Sequence, residues 1–578
     1  MSAVLARALH HRVSPWRGRL VIGAILLAFA ALVGRAGYLQ GVKNDFLQER
    51  GESRFSRVVE ISAHRGMITD RNGEPLAVST PVESVWASPA DLEASPAQLK
   101  ALADLLEMDL REVRARLAES AGREFVYLKR QLPPEAAARA AALEINGMFL
   151  KREYRRYYPS GEMTAHLLGF TNVDDRGQEG LELAFDDGLR GVPGSRRVIK
   201  DRLGRVIEDV GGIRAPKPGA DVALSVDRRI QYLAYRELKQ AVLLHRARAG
   251  GIVVLDARTG EVLALANLPS FNPNDRGQAT PSRVRNRAVT DVFEPGSTLK
   301  PFTVAAALES GMFTARSVLQ TAPGSLTIGP ATVRDTHQFG ALTVAQVIQK
   351  SSNVGSAKIA LALPAERMWR MLDQVGFGTP SGSGFPGEVS GRLRPHSSWR
   401  PIEQATMSYG HGLSVNLLQL ARAYTVFATD GRLLPVSLVR AEEAPTGVQA
   451  ISERTAQEVR AMLELATEPG GTAPLARVPG YRTAGKTGTA RKLVGGQYVR
   501  DRYVASFVGL APASRPRVVV AVMIDEPSGK DYYGGLVAAP VFARVVEAAL
   551  RVLDVAPDAP LERNVINADG VPLIREEV

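Results

Sequence analysis

Three short stretches combine residue types that could transfer an acyl group. Ser297 and Lys300 stand three apart in Glu294-Pro-Gly-Ser-Thr-Leu-Lys-Pro-Phe302, where a turn runs into the apolar stretch Pro301–Leu308. On the first turn of a helix, residues i and i+3 share a face, so a hydroxyl and an amine would come within reach of each other. An ammonium near a helix N-terminus and other cations gives up its proton more readily, and the neutral amine can then accept the Ser297 proton. The same N-terminus offers free backbone N–H groups to an oxyanion. Lys350-Ser351-Ser352-Asn353 could add a hydroxyl and an amide from one turn. In the strand-like segment Arg482–Ala490, Lys486 and the hydroxyls of Thr487 and Thr489 would seat a carboxylate, while Gly488 leaves an open backbone face where a peptide could lie. Taken singly, each motif also fits a plain structural role, such as a serine cap followed by a solvated lysine. Lysine is scarce, however: 72 Lys plus Arg include only 13 Lys, and two of those are Lys300 and Lys486.

These residues need rigid elements to hold them. Asp221–Asp227 alternates with period two and predicts a strand, and Arg229–Arg246 follows as an amphipathic helix. Gly251–Asp256 and Glu261–Ala266 are apolar runs joined by a Gly-containing turn, a hairpin of buried strands. Tyr503–Ala511 and Val518–Asp525 predict a second antiparallel pair, with a helix from about Ala539 to Leu553 after it. This order predicts an α/β domain around an antiparallel sheet. Upstream, residues 50–215 show short strand-like pieces at Arg54–Ile61 and Val82–Ala87 and one helical stretch from about Ala97 to Ala121, with apolar residues near a 3.6 period. Ala215-Pro-Lys-Pro-Gly219 punctuates the chain as a boundary.

The 578 residues leave room for several domains. With no Cys, disulfides, thiolate nucleophiles and Cys-based metal sites are excluded, and the eight His show no metal-ligand spacing, so no metal is expected. Leu20–Leu39 is an apolar run whose one charge is Arg35, of the length a helix needs to cross a bilayer. Arg7, Arg12, Arg17 and Arg19 precede it with no acid before Asp45, which predicts a cytoplasmic N-terminus and an exported remainder. The alternative is a signal peptide cleaved near Ala28-Phe-Ala30. No other stretch is long and apolar enough to span, so a single-pass protein is expected. Of the net charge of +12, four or five positive charges sit in this N-terminal flank and helix and the rest is dispersed Arg without a basic, aromatic-interleaved stripe, so no nucleic-acid partner is predicted.

The order Ser-x-x-Lys, Ser-x-Asn, Lys-Thr-Gly is the known signature set of class A β-lactamases and penicillin-binding proteins. This chain departs from it at Ser352, where the signature has Asp. Asp291–Pro301, Gln349–Gly355, Ala405–Gly412 with Leu417–Tyr424, and Tyr532–Gly535 resemble the septal, cell-division class B penicillin-binding proteins of Gram-negative bacteria. Arg65–Gly73, Arg155–Gly161 and Gly180–Glu182 are similar to that family's non-catalytic pedestal. The resemblance implies a penicillin-binding/β-lactamase-like transpeptidase domain, an antiparallel sheet flanked by helices, at residues 220–555. It further implies an α+β pedestal of the dimerisation type at 41–219, a cytoplasmic tail at 1–19, a transmembrane anchor at 20–40 and a C-terminal tail at 556–578.

Its implied activity is the cross-linking of peptidoglycan stem peptides at the septum by serine D,D-transpeptidation. Ser297 would be the acyl-ester nucleophile, Lys300 the base, Ser351 a proton relay and Asn353 a holder of the substrate amide. Lys486, Thr487 and Thr489, with Gly488 between them, would bind the terminal carboxylate, and the N–H groups of Ser297 and Thr489 would form the oxyanion hole. No cofactor is implied. Implied partners are stem peptides made from lipid-linked precursors, β-lactams as covalent inhibitors, a membrane glycan polymerase and other division proteins, and the implied place is the inner membrane with a periplasmic catalytic domain. The alternatives are a side-wall elongation transpeptidase, a β-lactam hydrolase or sensor, and a non-enzymatic division scaffold.

Overall fold

The computed structural model describes residues 15–39, 56–123, 125–200 and 206–560. Arg7 and Arg12 of the N-terminal cluster, and the predicted tail from residue 561 onward, lie outside the described residues. Pro15–Gly37 is a helix. Its stretch Trp16–Gly37, 22 residues, is long and apolar enough to cross a membrane.

The chain divides into two compact units, Met1–Ala63 with Pro81–Glu153 and Val192–Lys217, and His64–Thr80 with Tyr154–Gly191 and Pro218–Val578. In the first unit, strands Ser56–Ile61, Gly194–Lys200 and Val206–Arg214 form an antiparallel sheet in that order. A separate core gathers Val85, Leu102, Leu106, Leu128 and Ala137. The predicted helix across 97–121 is two helices, Pro96–Leu105 and Leu110–Glu119. Glu107 turns the chain at φ 51°, and the Asp109 side chain caps the second helix by accepting the Arg111 N–H. The apolar spacing survives the break because both helices face the same core.

In the second unit, α1 (Arg228–Leu244), β1 (Ala249–Asp256) and β2 (Val262–Leu268) come first. They are followed by α2 (Lys300–Glu309), α3 (Val344–Lys350), α4 (Asn353–Ala362) and α5 (Glu453–Thr467). The chain closes with β3 (Ala484–Val494), β4 (Gln497–Ala511), β5 (Val518–Asp525) and α6 (Ala539–Val552). The strands form one antiparallel sheet in the order β2-β1-β5-β4-β3, with β3 at an edge. Both faces of the sheet are covered. Ile252, Val254, Phe507 and Val522 pack with Leu238 and Phe542 of α1 and α6, while Val253, Leu255, Val519 and Ala521 pack with Phe302, Leu417 and Leu418. Two-sided burial explains why β1, β2 and β5 are unbroken apolar runs instead of alternating ones.

The strand predicted over Asp221–Asp227 shrinks to Val222–Ala223, paired with Ile68–Thr69. Ser225 instead donates its hydroxyl to the Val262 and Ser437 carbonyls, and Asp227 caps α1 through the Arg229 N–H. Those polar residues, which gave the segment its alternation, are consumed by capping and bridging.

Candidate active site

Ser297 lies in a 3₁₀ turn, Gly296–Leu299, and α2 begins only at Lys300. The expected three-residue spacing thus works through a tighter geometry than a helical first turn, because a 3₁₀ turn repeats every three residues and eclipses i with i+3. Lys300 Nζ donates to Ser297 Oγ at 2.9 Å and to Ser351 Oγ at 3.0 Å, and it also bonds the Ser351 carbonyl. Lys486 Nζ donates to the same Ser351 Oγ at 2.8 Å. Both lysines are fully buried. Four predicted residues, Ser297, Lys300, Ser351 and Lys486, therefore meet as one hydrogen-bonded chain with the Ser351 hydroxyl between two amines.

Each member is fixed by its element. Ser351 ends α3 in the left-handed region at φ 61° with its N–H on the Ile348 carbonyl, and Ser352 immediately caps α4 by accepting the Gly355 N–H at 2.9 Å. Ser352 also donates to Asp335 at 2.6 Å, so the residue that departs from the signature still has a carboxylate beside it. Asn353 stands apart from the four-residue chain, its amide donating to the Arg334 carbonyl at 3.1 Å. Lys486 also reaches Thr487 Oγ1 at 3.2 Å, and that hydroxyl donates to Thr472 Oγ1 at 3.1 Å. Thr489 Oγ1 accepts the Gly534 N–H at 3.1 Å. Gly488 differs from expectation: a Cβ there would lie 2.5 Å from Ser506 Oγ and 2.7 Å from the Pro295 carbonyl. Its missing side chain makes room for the turn that carries Ser297, not for an open face.

Several supports of the Ser297 turn come from residues that spacing does not mark. Gly410, at φ 89°, lies so close to Gly296 that a Cβ would come within 2.1 Å of the Gly296 oxygen. Tyr424 donates its hydroxyl to the Thr298 carbonyl at 2.7 Å, and Thr303 and Ser356 both donate to the Ser408 carbonyl. Their signal was present in the 405–424 stretch, where a Gly followed by a buried Tyr has no partner visible from spacing. Glu294, three residues before Ser297, accepts the Gly412 N–H at 2.8 Å and the Tyr498 hydroxyl at 2.9 Å. Burial alone would raise the Glu294 carboxyl. The hydrogen bond and charge of His411, then the bonds from Gly412 and Tyr498, outweigh burial and hold it below the ordinary glutamate range. Among the described residues no group of three or more His, Asp or Glu is placed to hold a metal ion.

Chemically, a hydroxyl on an amine, with a second hydroxyl leading to another amine, can deprotonate a nucleophile and pass a proton onward. Residues 250–547 match the penicillin-binding protein transpeptidase domain, and 60–224 match the penicillin-binding protein dimerisation domain. The chain is 47% identical over 545 residues to the probable peptidoglycan D,D-transpeptidase PenA of Neisseria meningitidis, covering 94% of this chain and 93% of that one. It is 43% identical over 556 residues to the peptidoglycan D,D-transpeptidase FtsI of Escherichia coli K12, covering 95% and 94%. The transpeptidase domain structure of Burkholderia pseudomallei penicillin-binding protein 3 aligns with a TM-score of 0.54 and 50% identity, over 58% of this chain and 98% of that one.

Proposed function

Because the chain belongs to the penicillin-binding protein transpeptidase family, we propose that it cross-links peptidoglycan by serine acyl transfer at the division septum. The observation that carries this reading is the chain Ser297–Lys300–Ser351–Lys486. Ser297 Oγ attacks the carbonyl between the two terminal D-alanines of a stem peptide, and its proton passes to Lys300 Nζ. Two ammonium groups on one hydroxyl repel each other, which favours one of the two amines being neutral. The tetrahedral oxyanion sits on the N–H groups of Ser297 and Thr489. On collapse the C–N bond breaks, and the terminal D-alanine leaves with a proton relayed through Ser351. An amine of a neighbouring stem then attacks the ester, forms the cross-linking amide, and returns the proton to Ser297 Oγ. Lys486, Thr487 and Thr489 bind the terminal carboxylate, Gly488 lets β3 approach the Ser297 turn, and Asn353 holds the substrate amide. β-Lactams acylate the same Ser297.

The same reading puts the pedestal at 41–219 and the transpeptidase domain at 220–555, between a cytoplasmic tail at 1–19 with an anchor at 20–40 and a C-terminal tail at 556–578. The helix at the N-terminus fits a single-pass anchor, with Arg17 and Arg19 on the cytoplasmic side of the inner membrane and the rest periplasmic. A membrane glycan polymerase and other division proteins are the proposed partners. The septal assignment rests on the motif resemblance around 405–412. Microscopy of depleted cells checks it, because filaments mean septation and rounding means elongation. For the chemistry, fluorescent penicillin should label the wild type and not Ser297→Ala; equal labelling of both would overturn the assignment. Rapid multiple turnover of a chromogenic cephalosporin would instead make it a hydrolase.

A further inference from the structure

Past Arg491 the two strands β3 and β4 leave the sheet core as an arm. The pairing register shifts between Arg491 and Leu493, then resumes as Leu493↔Tyr498 and Val494↔Gln497 around a Gly495-Gly496 turn at φ 60° and 82°. A two-residue turn with both φ values positive matches the twist of a hairpin. The arm has little of its own core, since Leu493, Val494 and Tyr498 are each 49% exposed. Lys492 Nζ fixes the base of the arm on Asp525 and Glu526 at 2.7 Å, and what ties down its far end is the Tyr498 hydroxyl, which donates to Glu294 Oε2 at 2.9 Å and lies 3.2 Å from Oε1. The same carboxylate accepts the Gly412 N–H at 2.8 Å and has His411 Nδ1 at 3.2 Å. It thus joins three segments: the approach to Ser297, the 405–412 stretch whose Gly410 abuts Gly296, and the arm. Beneath them lies a cavity of about 260 Å³ lined by Val292, Phe293, Glu294, Leu493, Val504 and Met523, among others.

We propose that Glu294 is a positioning residue for the reaction: through Tyr498 it holds the β3–β4 arm against the turn that carries Ser297, beside the nucleophile an acyl-donor peptide must reach. This rests on the acyl-transfer reading above. A free arm would have to be ordered at each binding event, so losing the tie weakens donor binding more than it slows the bond-breaking step. Glu294 touches no reacting atom; it acts by where it puts the arm.

The test uses the full-length protein in detergent, with saturation kinetics of acylation by fluorescent penicillin and by a D-alanyl-D-alanine peptide donor. Tyr498→Phe removes one oxygen and should lower acylation efficiency about tenfold, the effect of one hydrogen bond to a charged group. The loss should fall mainly in half-saturation, at an unchanged melting temperature. Hydrogen exchange across 492–502 should rise. Glu294→Gln should do the same, and the double variant should be no worse than Glu294→Gln alone. Wild-type kinetics and exchange in Tyr498→Phe would overturn the proposal, as would strictly additive losses in the double variant. Should Glu294→Gln fail to fold, Tyr498→Phe decides alone. Labelling that persists in Ser297→Ala sinks the acyl-transfer reading itself, whereas its loss there beside an unaffected Tyr498→Phe sinks only the positioning role.

Discussion

The Ser351 hydroxyl accepts from Lys300 at 3.0 Å and from Lys486 at 2.8 Å. An oxygen with two lone pairs is then saturated as an acceptor, so its own proton is free to be donated to a third group. That is the state a relay to a leaving amine needs. Ser351→Ala should slow acylation by fluorescent penicillin by about 10²- to 10³-fold, in the range of lost general acid–base assistance. Melting temperature should move little in comparison. A rate within threefold of wild type would leave Ser351 no role in proton transfer. At this scale the sequence disclosed residue types and spacing but not partners. Ser297 and Lys300 were legible because they stand three apart in the chain, and Lys486 because lysine is rare. Nothing in the sequence indicated that Thr489 would take the Gly534 N–H or that Asn353 would turn to the Arg334 carbonyl. Those bonds depend on chain segments far away, and periodicity carries no information about them.

At the scale of elements, the nucleophile's turn is clamped between β3 and the bend after helix Pro401–Met407. Gly488 presses it from one side and Gly410 from the other, both positions where a Cβ would collide with backbone. Gly410→Ala combines a contact near 2.1 Å with a φ of 89°, and backbone strain of this kind costs about 1–3 kcal/mol before the collision is counted. The expected outcome is a lower melting temperature and loss of penicillin labelling together. Full labelling with normal stability would mean the turn tolerates displacement. The sheet was legible because two-sided burial writes itself as continuous Val, Ile, Leu and Ala runs. The break at Glu107 was not, since the one signal was Asp109 in a capping position inside an otherwise unbroken period. The Ser351 joint was hidden for a related reason: left-handed residues are usually Gly or Asn, and a serine there gives no warning.

For the molecule as a whole, stability depends on pH through buried charges away from the chemistry. Burial pushes the Asp175 carboxyl up to about 6 from an ordinary 3.8, against the pull of Arg65 and Arg156. A raised carboxyl stabilises the fold while protonated, and that contribution is lost as pH rises from about 4 through 6. Asp175→Asn should therefore be more stable than wild type at pH 7.5, by about 3 kcal/mol at 1.4 kcal/mol per unit, with the gap closing toward pH 4. A gap that is constant with pH would mean the carboxyl titrates normally. Asp175 already sits at φ 58°, a conformation Asn tolerates well. The two-unit division of the chain was only partly legible. A boundary near residues 215–219 matches the punctuation there, but residues 64–80 and 154–191 gather with the later unit, and such interleaving leaves no mark on local composition. One last consequence concerns solubility. An unpaired edge strand ordinarily invites stacking with a second copy or with any unfolded chain. In β3 the stretch from Ala484 to Ala490 is buried, with Gly488 close against the Pro295 carbonyl and Lys486 on the Ser351 hydroxyl. The same packing that builds the reactive cluster thus also shields that stretch of the edge from pairing with another chain.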